Sequence, residues 1–224
     1  DESRSYVVPA APGKRSSSDT KVTDMLLKAY GMAINGEDIT EQLEKIKARY
    51  DGIIEGLGLQ GFSLEGDFAI LADNLKNEPQ KDYTASRGEY LNGKVLAAYL
   101  GFEFIDAAQV IFFNDEGNLN SYKTLKTMNK VVGQKKGVVI PGFYGMGKDG
   151  RVRTFSRGGS DITGSIVAQA MKADMYENWT DVSGFLVADP RVIRDPAGIR
   201  YITYRELRER SHKGASGLHE DAVF

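Results

Sequence analysis

Residues 157–161, Arg-Gly-Gly-Ser-Asp, bring a cation, two glycines, a hydroxyl and a carboxylate together in front of residues 162–171, whose apolar side chains recur at helical spacing. The N-terminus of a helix offers free N–H groups and a partial positive charge, and glycines let an anion approach the backbone closely. Asp161 could hold a cation beside that anion or accept a proton. In the alternative without a ligand, Ser160 or Asp161 only caps a core helix.

Other short blocks carry residues of similar chemical types. They are residues 8–14 (VPAAPGK), 20–24 (TKVTD), 86–89 (SRGE), 143–145 (FYG), 179–191 (WTDVSGFLVADPR) and 214–219 (GASGLH). Taken alone, Glu89 is a first-turn glutamate favoured by a helix dipole, and Thr23 is an exposed helix position. Lys14 is a weak phosphate signal, because the sequence lacks the Gly-x-x-x-x-Gly-Lys-[Ser/Thr] pattern of a P-loop.

The composition excludes several classes of protein. Lysine and arginine total 29 against 31 aspartates and glutamates, so no basic surplus points to nucleic acid. The absence of cysteine and the presence of only two histidines exclude disulfides, a thiol nucleophile and a Cys- or His-based metal centre. No apolar run is long enough to span a bilayer, and the first residues do not resemble a signal peptide. We therefore expect a cytoplasmic protein that binds neither membrane nor nucleic acid.

The hydrophobic pattern predicts the elements that must position these residues. Short apolar strands that alternate with helices favour an α/β fold, namely a three-layer α/β/α sandwich with a mainly parallel central sheet. The predicted strands are 6–8, 102–105, 109–113, 137–140 and 175–179; the predicted helices start at residues 22 and 39 and span 64–75, 88–99, 123–132 and 162–172; a hairpin is predicted over 144–154. We expect 137–140 and 175–179 to be neighbouring central strands. Residues 36–85 are expected to form a helical lobe.

In their order and spacing, the blocks named above resemble the catalytic domain of the aspartokinases, members of the amino acid kinase family. The resemblance covers most of the chain and implies a carbamate kinase-like fold over residues 1–224. It also implies ATP-dependent phosphorylation of L-aspartate to 4-phospho-L-aspartate with Mg²⁺, the first step toward lysine, threonine and methionine.

The resemblance also implies roles for individual residues. The catalytic residues would be Asp161, near the reacting groups, and Arg157, which would pair with a carboxylate of aspartate. Glu89 would receive the substrate ammonium. The implied substrate-binding set is Thr23, Glu89, Phe143, Gly145, Arg157, Gly159 and Ser160. The implied nucleotide-binding set is Thr180, Asp181, Asp189 and Arg191, and the protein itself supplies no metal site.

The chain also departs from the family pattern. It begins after the family's Lys-Phe-Gly-Gly strand and turn, and it ends before any ACT regulatory domain. We therefore expect a truncated or engineered catalytic domain with impaired turnover, because phosphoryl transfer depends on charge neutralisation. One alternative is another amino acid kinase such as glutamate 5-kinase, against which the paired SRGE and RGGSD blocks argue. A second is a non-catalytic domain, which the missing lysine favours. Dimerisation within the family leaves a homodimer open.

Overall fold

A computed structural model describes residues 5–156, 158–180, 187, 193–203 and 205–207. Five strands, six α-helices and one short 3-10 helix are found in these residues. In chain order they are β1 (Tyr6–Val7), α1 (Val22–Ile34), α2 (Thr40–Gly56), α3 (Glu65–Asn77), α4 (Lys81–Leu100), β2 (Glu103–Phe104), the 3-10 helix Ala107–Gln109, α5 (Ser121–Val131), β3 (Val138–Val139), β4 (Tyr144–Met146), β5 (Val152–Thr154) and α6 (Gly159–Met171).

The strand β3 lies at the centre of a parallel sheet, with β1 on one side and β2 on the other. Both valines of β3 are fully buried, as expected for a strand that is covered on both faces. Val138 packs in a cluster with side chains of α5 and α6. Successive side chains of a strand point to opposite faces, so Val139 faces α4. The predicted α/β architecture, a parallel sheet between helices, is confirmed.

The predicted strand at residues 175–179 is wrong. These residues form no strand, and Met175 and Trp179 are 74% and 80% exposed. The physical reason lies in the sheet itself, because β1 and β2 already occupy both edges of β3. The expectation that 137–140 forms a buried central strand is confirmed, while its predicted neighbour lies at the protein surface.

Residues 109–113 also differ from the predicted strand. Gln109 ends the 3-10 helix, which Asp106 caps by accepting a hydrogen bond from the N–H of Ala108, and Phe112 and Phe113 form only isolated bridges. Helix α4 begins at Lys81 rather than at residue 88. Its first turns bury small and polar residues such as Thr84 and Ser86, so they lack the apolar periodicity that predicts a helix. The predicted hairpin is confirmed as β4 and β5.

Two buried clusters share α4 as their common wall. The helical cluster joins apolar side chains of α1 to α4, and the sheet cluster joins those of the sheet, the hairpin, α5 and α6. Tyr90 of α4 packs against both clusters. In the described part of the chain, no helix combines the length and the apolar character that crossing a membrane would require.

Candidate functional site

Glu89 is a buried carboxylate in the middle of α4, and only 6% of it is exposed. The backbone N–H of Ala11, in the loop after β1, donates a hydrogen bond to it. Its Oε2 atom is buried and has no hydrogen-bond partner among the described residues. Burial raises the pKa of Glu89 to about 7, although the hydrogen bond from Ala11 and the charge of Arg87 partly oppose the shift. A cation bound at Oε2 would supply the missing partner and neutralise the buried charge.

The backbone packs closely around Glu89. A Cβ atom added to Gly88 would lie 2.8 Å from the Cβ of Ala11 and 3.8 Å from Oγ1 of Thr23, so α1, α4 and the loop after β1 meet at this glycine. The hydroxyl of Tyr50 in α2 donates to the carbonyl oxygen of Gly88 at 2.7 Å. The structure therefore places Thr23 beside Gly88, the residue before Glu89, and we call this part of the site the Glu89 wall.

The N-terminus of α6 forms a second wall, the α6 wall. Gly158, with φ of 57°, precedes the helix, and no side chain caps the first turn. The alternative in which Ser160 or Asp161 is the N-cap is therefore wrong. Both residues lie in the first turn, where backbone N–H groups have no intrahelical partner and an acidic residue is favoured by the dipole.

Close glycine contacts hold the loop after β3 against the α6 wall. A Cβ on Gly142 would lie 2.6 Å from Oγ of Ser160, and a Cβ on Gly159 would lie 2.7 Å from Cα of Phe143. Phe143 itself has a positive φ of 81°, which is unusual for a bulky residue. Its N–H donates to Oγ1 of Thr163 at 3.1 Å, and this bond helps to hold the strained conformation.

The two walls meet at the carboxyl ends of the parallel strands. The N–H of Gly142, after β3, donates to the carbonyl oxygen of Pro9, after β1, at 3.0 Å. Glu89 contacts the loop after β1, and Ser160 contacts the loop after β3. This edge of an open parallel sheet is where ligands of α/β proteins usually bind.

The remaining predicted residues are placed as follows. A Cβ on Gly145, in β4, would lie 2.6 Å from the carbonyl oxygen of Ile111, so this glycine packs in the interior against that residue. Thr180 lies at the exposed end of the segment that follows α6. The positions Arg157, Asp181, Asp189 and Arg191 lie outside the described residues.

Sequence reasoning missed Arg87, a buried cation two residues before Glu89. Its guanidinium carbon lies 4.3 Å, 4.2 Å and 5.4 Å from the ring centroids of Tyr83, Tyr90 and Tyr144. Tyr83 and Tyr90 are four residues before and three residues after Arg87, which puts all three on one face of α4. That spacing of aromatic residues around an arginine is the sequence signal that could have revealed this tyrosine cage.

Two further features bear on ligand binding. Among the described residues, no group of three or more histidines, cysteines, aspartates or glutamates could hold a metal ion. A cavity of about 580 Å³ lies between α1, α2 and α3, with Leu43, Phe68, Lys47 and Lys76 in its lining. None of the predicted site residues lines this cavity, so it is separate from the candidate site.

Comparison with known proteins places the chain in a family. Residues 6–224 match the family described as "Amino acid kinase family". Aspartokinase 3 of Bacillus subtilis is 36% identical over the full length of this chain, and the match covers 52% of that protein. The aspartokinase of Rickettsia prowazekii is 36% identical over 63% of this chain and 34% of its own length. The chain thus spans about half the length, or less, of these curated relatives.

Solved structures give the same result. The aspartate kinase of Clostridium acetobutylicum has a TM-score of 0.92 and 46% identity, with coverage of all of this chain and 51% of that one. E. coli aspartokinase III in complex with aspartate and ADP has a TM-score of 0.75 and 24% identity, with coverage of 100% and 53%. The second likeness concerns the fold alone.

Proposed function

Because this chain belongs to the amino acid kinase family, we propose that it forms the phosphotransferase domain of an ATP-dependent aspartate kinase, which converts L-aspartate into 4-phospho-L-aspartate. The names of its relatives support the substrate, since they are aspartokinases at 36% and 46% identity. The helical region, residues 36–85, is proposed as a lobe of this domain.

The observation that carries the proposal is Oε2 of buried Glu89, which has no hydrogen-bond partner among the residues that the structure describes. A buried carboxylate without a counter-charge is costly, and a substrate ammonium would supply both the charge and the missing hydrogen bond. Thr23, beside Gly88, would accept or donate a further hydrogen bond to the amino acid. The Glu89 wall thus supports recognition of the α-amino group of aspartate.

The α6 wall suits the anionic parts of the reaction. First-turn N–H groups and the hydroxyl of Ser160 would bind a carboxylate or phosphoryl oxygens, with Gly159 and Phe143 forming the backbone at that point. Arg157 would pair with a carboxylate of aspartate. Asp161 would lie beside the reacting groups and orient them, since phosphoryl transfer depends on positioning and on charge more than on covalent catalysis.

ATP would enter as its Mg²⁺ complex, so the metal comes with the substrate. Mg²⁺ commonly binds through phosphate oxygens, water and one or two carboxylates. That mode needs no dedicated protein cluster. The proposed nucleotide contacts are Thr180, Asp181, Asp189 and Arg191.

A cytoplasmic location and a homodimer complete the proposal. Cell fractionation tests the location, and sedimentation tests the oligomeric state.

The test is a coupled assay of ADP formation with Mg²⁺-ATP and either L-aspartate or L-glutamate, beside calorimetric titration of both amino acids. We expect aspartate to bind and to support ADP formation at a reduced rate, and glutamate to do neither. As a control variant, Asp73→Asn removes an exposed carboxylate of α3 that belongs to neither wall, and it should behave like wild type. Turnover with glutamate would support a glutamate kinase instead, and neither turnover nor binding with aspartate would refute the proposal.

A further inference from the structure

The segment after α6 folds back along that helix. Lys172 ends α6 in a left-handed conformation with φ of 51° and ψ of 46°. The N–H of Ala173 then donates to the carbonyl oxygen of Ala168 at 2.9 Å, a bond typical of a chain reversal at a helix C-terminus. Residues 173–180, which we call the α6 strap, therefore return toward the first turn of the helix.

Two side chains seat the α6 strap on α6. The ring of Tyr176 covers Gly164, where an added Cβ would lie 2.6 Å from the tyrosine oxygen and 2.9 Å from the ring. The side-chain amide of Asn178 donates to Oδ1 of Asp161 at 3.2 Å. Asp161 and Gly164 are three residues apart, so they lie on one face of α6, about 4.5 Å apart along its axis.

The negative charge of Asp161 also affects the pKa of Tyr176 in the α6 strap. Burial raises the pKa of Tyr176 to about 12, and the nearby carboxylate of Asp161 adds to the shift. The hydroxyl of Tyr176 lies 3.5 Å from the backbone carbonyl oxygen of Asp161, at the outer limit of a hydrogen bond. Two neighbouring strap residues thus approach the same aspartate from one side.

We propose that Asn178 is a positioning residue that fixes the orientation of the Asp161 carboxylate, and that Tyr176, seated on Gly164, holds Asn178 in place. The proposal rests on the function proposed above, in which Asp161 lies beside the reacting groups. The α6 strap ends at Thr180, which with residue 181 forms the first of the proposed nucleotide contacts. Asn178 therefore links the orientation of Asp161 to the segment that would hold the nucleotide.

The chemistry of the contact explains why an asparagine suits this position. A neutral amide donates one hydrogen bond to the carboxylate without neutralising its charge, so one oxygen is fixed while the other stays available to the reacting groups. A lysine would compete for that oxygen, and an aspartate would repel it. Gly164 matters because only a residue without Cβ lets the tyrosine ring approach the helix this closely.

The experiment compares Asn178→Ala and Gly164→Ala with two matched controls in the full chain. Asn77→Ala removes an equivalent amide-to-carboxylate bond on α3, from Asn77 to Asp73 at 2.7 Å. Gly52→Ala is a glycine-to-alanine change in α2 with no atom within 4 Å of the added Cβ. Trp179, the only tryptophan, is next to Asn178, and its fluorescence anisotropy reports whether the strap is seated.

We expect Asn178→Ala and Gly164→Ala to lower the Trp179 anisotropy, and both controls to leave it unchanged. Asn178→Ala should lower kcat about three- to tenfold, the usual effect of losing one hydrogen bond, with KM for aspartate within about twofold. In Asp161→Ala, the further change Asn178→Ala should have no additional effect on anisotropy. This non-additivity is the mark of a direct contact.

The outcomes separate this inference from the proposed function. Unchanged anisotropy in Asn178→Ala, or additive effects in the double variant, would overturn the proposed contact. Lower anisotropy with unchanged kcat would overturn the positioning role. A wild-type chain that neither phosphorylates nor binds aspartate would refute the proposed function, while the anisotropy cycle would still decide whether Asn178 holds Asp161.

Discussion

The carboxylates of the Glu89 wall and of the α6 wall differ in how far the fold stabilises their charge. Glu89 sits in the middle of a helix, is nine-tenths buried and has one oxygen that finds no hydrogen-bond partner in the described part of the chain. Asp161 lies in the first turn of a helix, is only half-buried and accepts a hydrogen bond from Asn178. The first carboxylate is only partly compensated, by the N–H of Ala11 and the charge of Arg87, whereas the second is supported by a helix dipole and by an amide.

This difference teaches which wall depends on a ligand. Burying the charge of Glu89 costs free energy, and a bound cation would lower that cost. The Glu89 wall should therefore be stabilised most by ligand binding. The α6 wall is held by backbone contacts of Gly142 and Gly159, so its geometry should exist before any ligand arrives. The predictions below test this contrast, from the largest expected effect to the smallest.

The largest effect is expected from Glu89→Gln on the affinity for aspartate. The amide keeps the shape but loses the negative charge that would pair with an ammonium, so affinity should fall about 100-fold or more, or about 3 kcal/mol. Calorimetric titration with aspartate measures this loss. Glu65→Gln, an exposed glutamate at the start of α3, is the control and should bind normally. Unchanged affinity in Glu89→Gln would show that Glu89 does not bind the substrate ammonium.

The same substitution should raise stability at high pH. The pKa of Glu89 is about 7 in the folded chain against 4.5 ordinarily, so between these values the folded state binds more protons than the unfolded state. Stability from this group is therefore greatest below pH 4.5 and is lost as the pH rises through 7. The difference between a pKa of 4.5 and one of about 7 corresponds to about 3 kcal/mol.

Urea unfolding of both proteins at pH 4 and pH 8 measures this effect. The stability advantage of Glu89→Gln over wild type should grow by about 3 kcal/mol between the two pH values, because glutamine does not titrate. A difference that stays constant with pH would show that Glu89 is not held in a desolvated state.

Local features of the sequence predicted more of the fold than of the site. The helices from α1 to α3, the strand β1 and the hairpin follow from apolar periodicity and from glycines at turns. The strand predicted at 175–179 failed because a short run containing Met175 and Trp179 does not reveal that β3 already has two neighbours. Pairing of strands is a long-range property that a local pattern does not contain.

Within the site, the motifs indicated which residues matter but not how each is held. The block 86–89 drew attention to Glu89, while its burial depends on the contact between Gly88 and Ala11, 77 residues earlier in the chain. The tyrosine cage of Arg87 has a local part, visible as helical spacing, and a distant part, Tyr144. Contacts of this kind arise only when α4 packs between the two clusters.

A smaller effect, on stability, is expected from Gly142→Ala. The added Cβ would lie 2.6 Å from Oγ and 2.7 Å from Cα of Ser160, and the Cα atom cannot move without shifting the start of α6. We expect a loss of about 1–3 kcal/mol, the usual cost of overpacking, together with lower turnover. Thermal and urea unfolding give the first quantity and the coupled assay gives the second.

The matched control for this prediction is Gly31→Ala in α1, where no atom lies within 4 Å of the new Cβ. That change should raise stability by up to about 1 kcal/mol, because alanine favours a helix over glycine. If Gly142→Ala behaves like Gly31→Ala, the α6 wall is not held by close backbone contact, and the contrast between the two walls fails.

The smallest effect concerns the strained backbone of Phe143. Its φ of 81° suits glycine, so Phe143→Gly should be more stable than Phe143→Ala by about 1 kcal/mol, although both lose the aromatic ring. The comparison between the two variants isolates the backbone, since the side-chain loss is nearly the same. At Phe112, which is not among the residues with positive φ, the order should reverse, and alanine should be the more stable by up to about 1 kcal/mol. Urea unfolding of the four variants measures both differences. If alanine is the better residue at both positions, the positive φ of Phe143 stores no strain, and the α6 wall is as relaxed as the rest of the sheet edge.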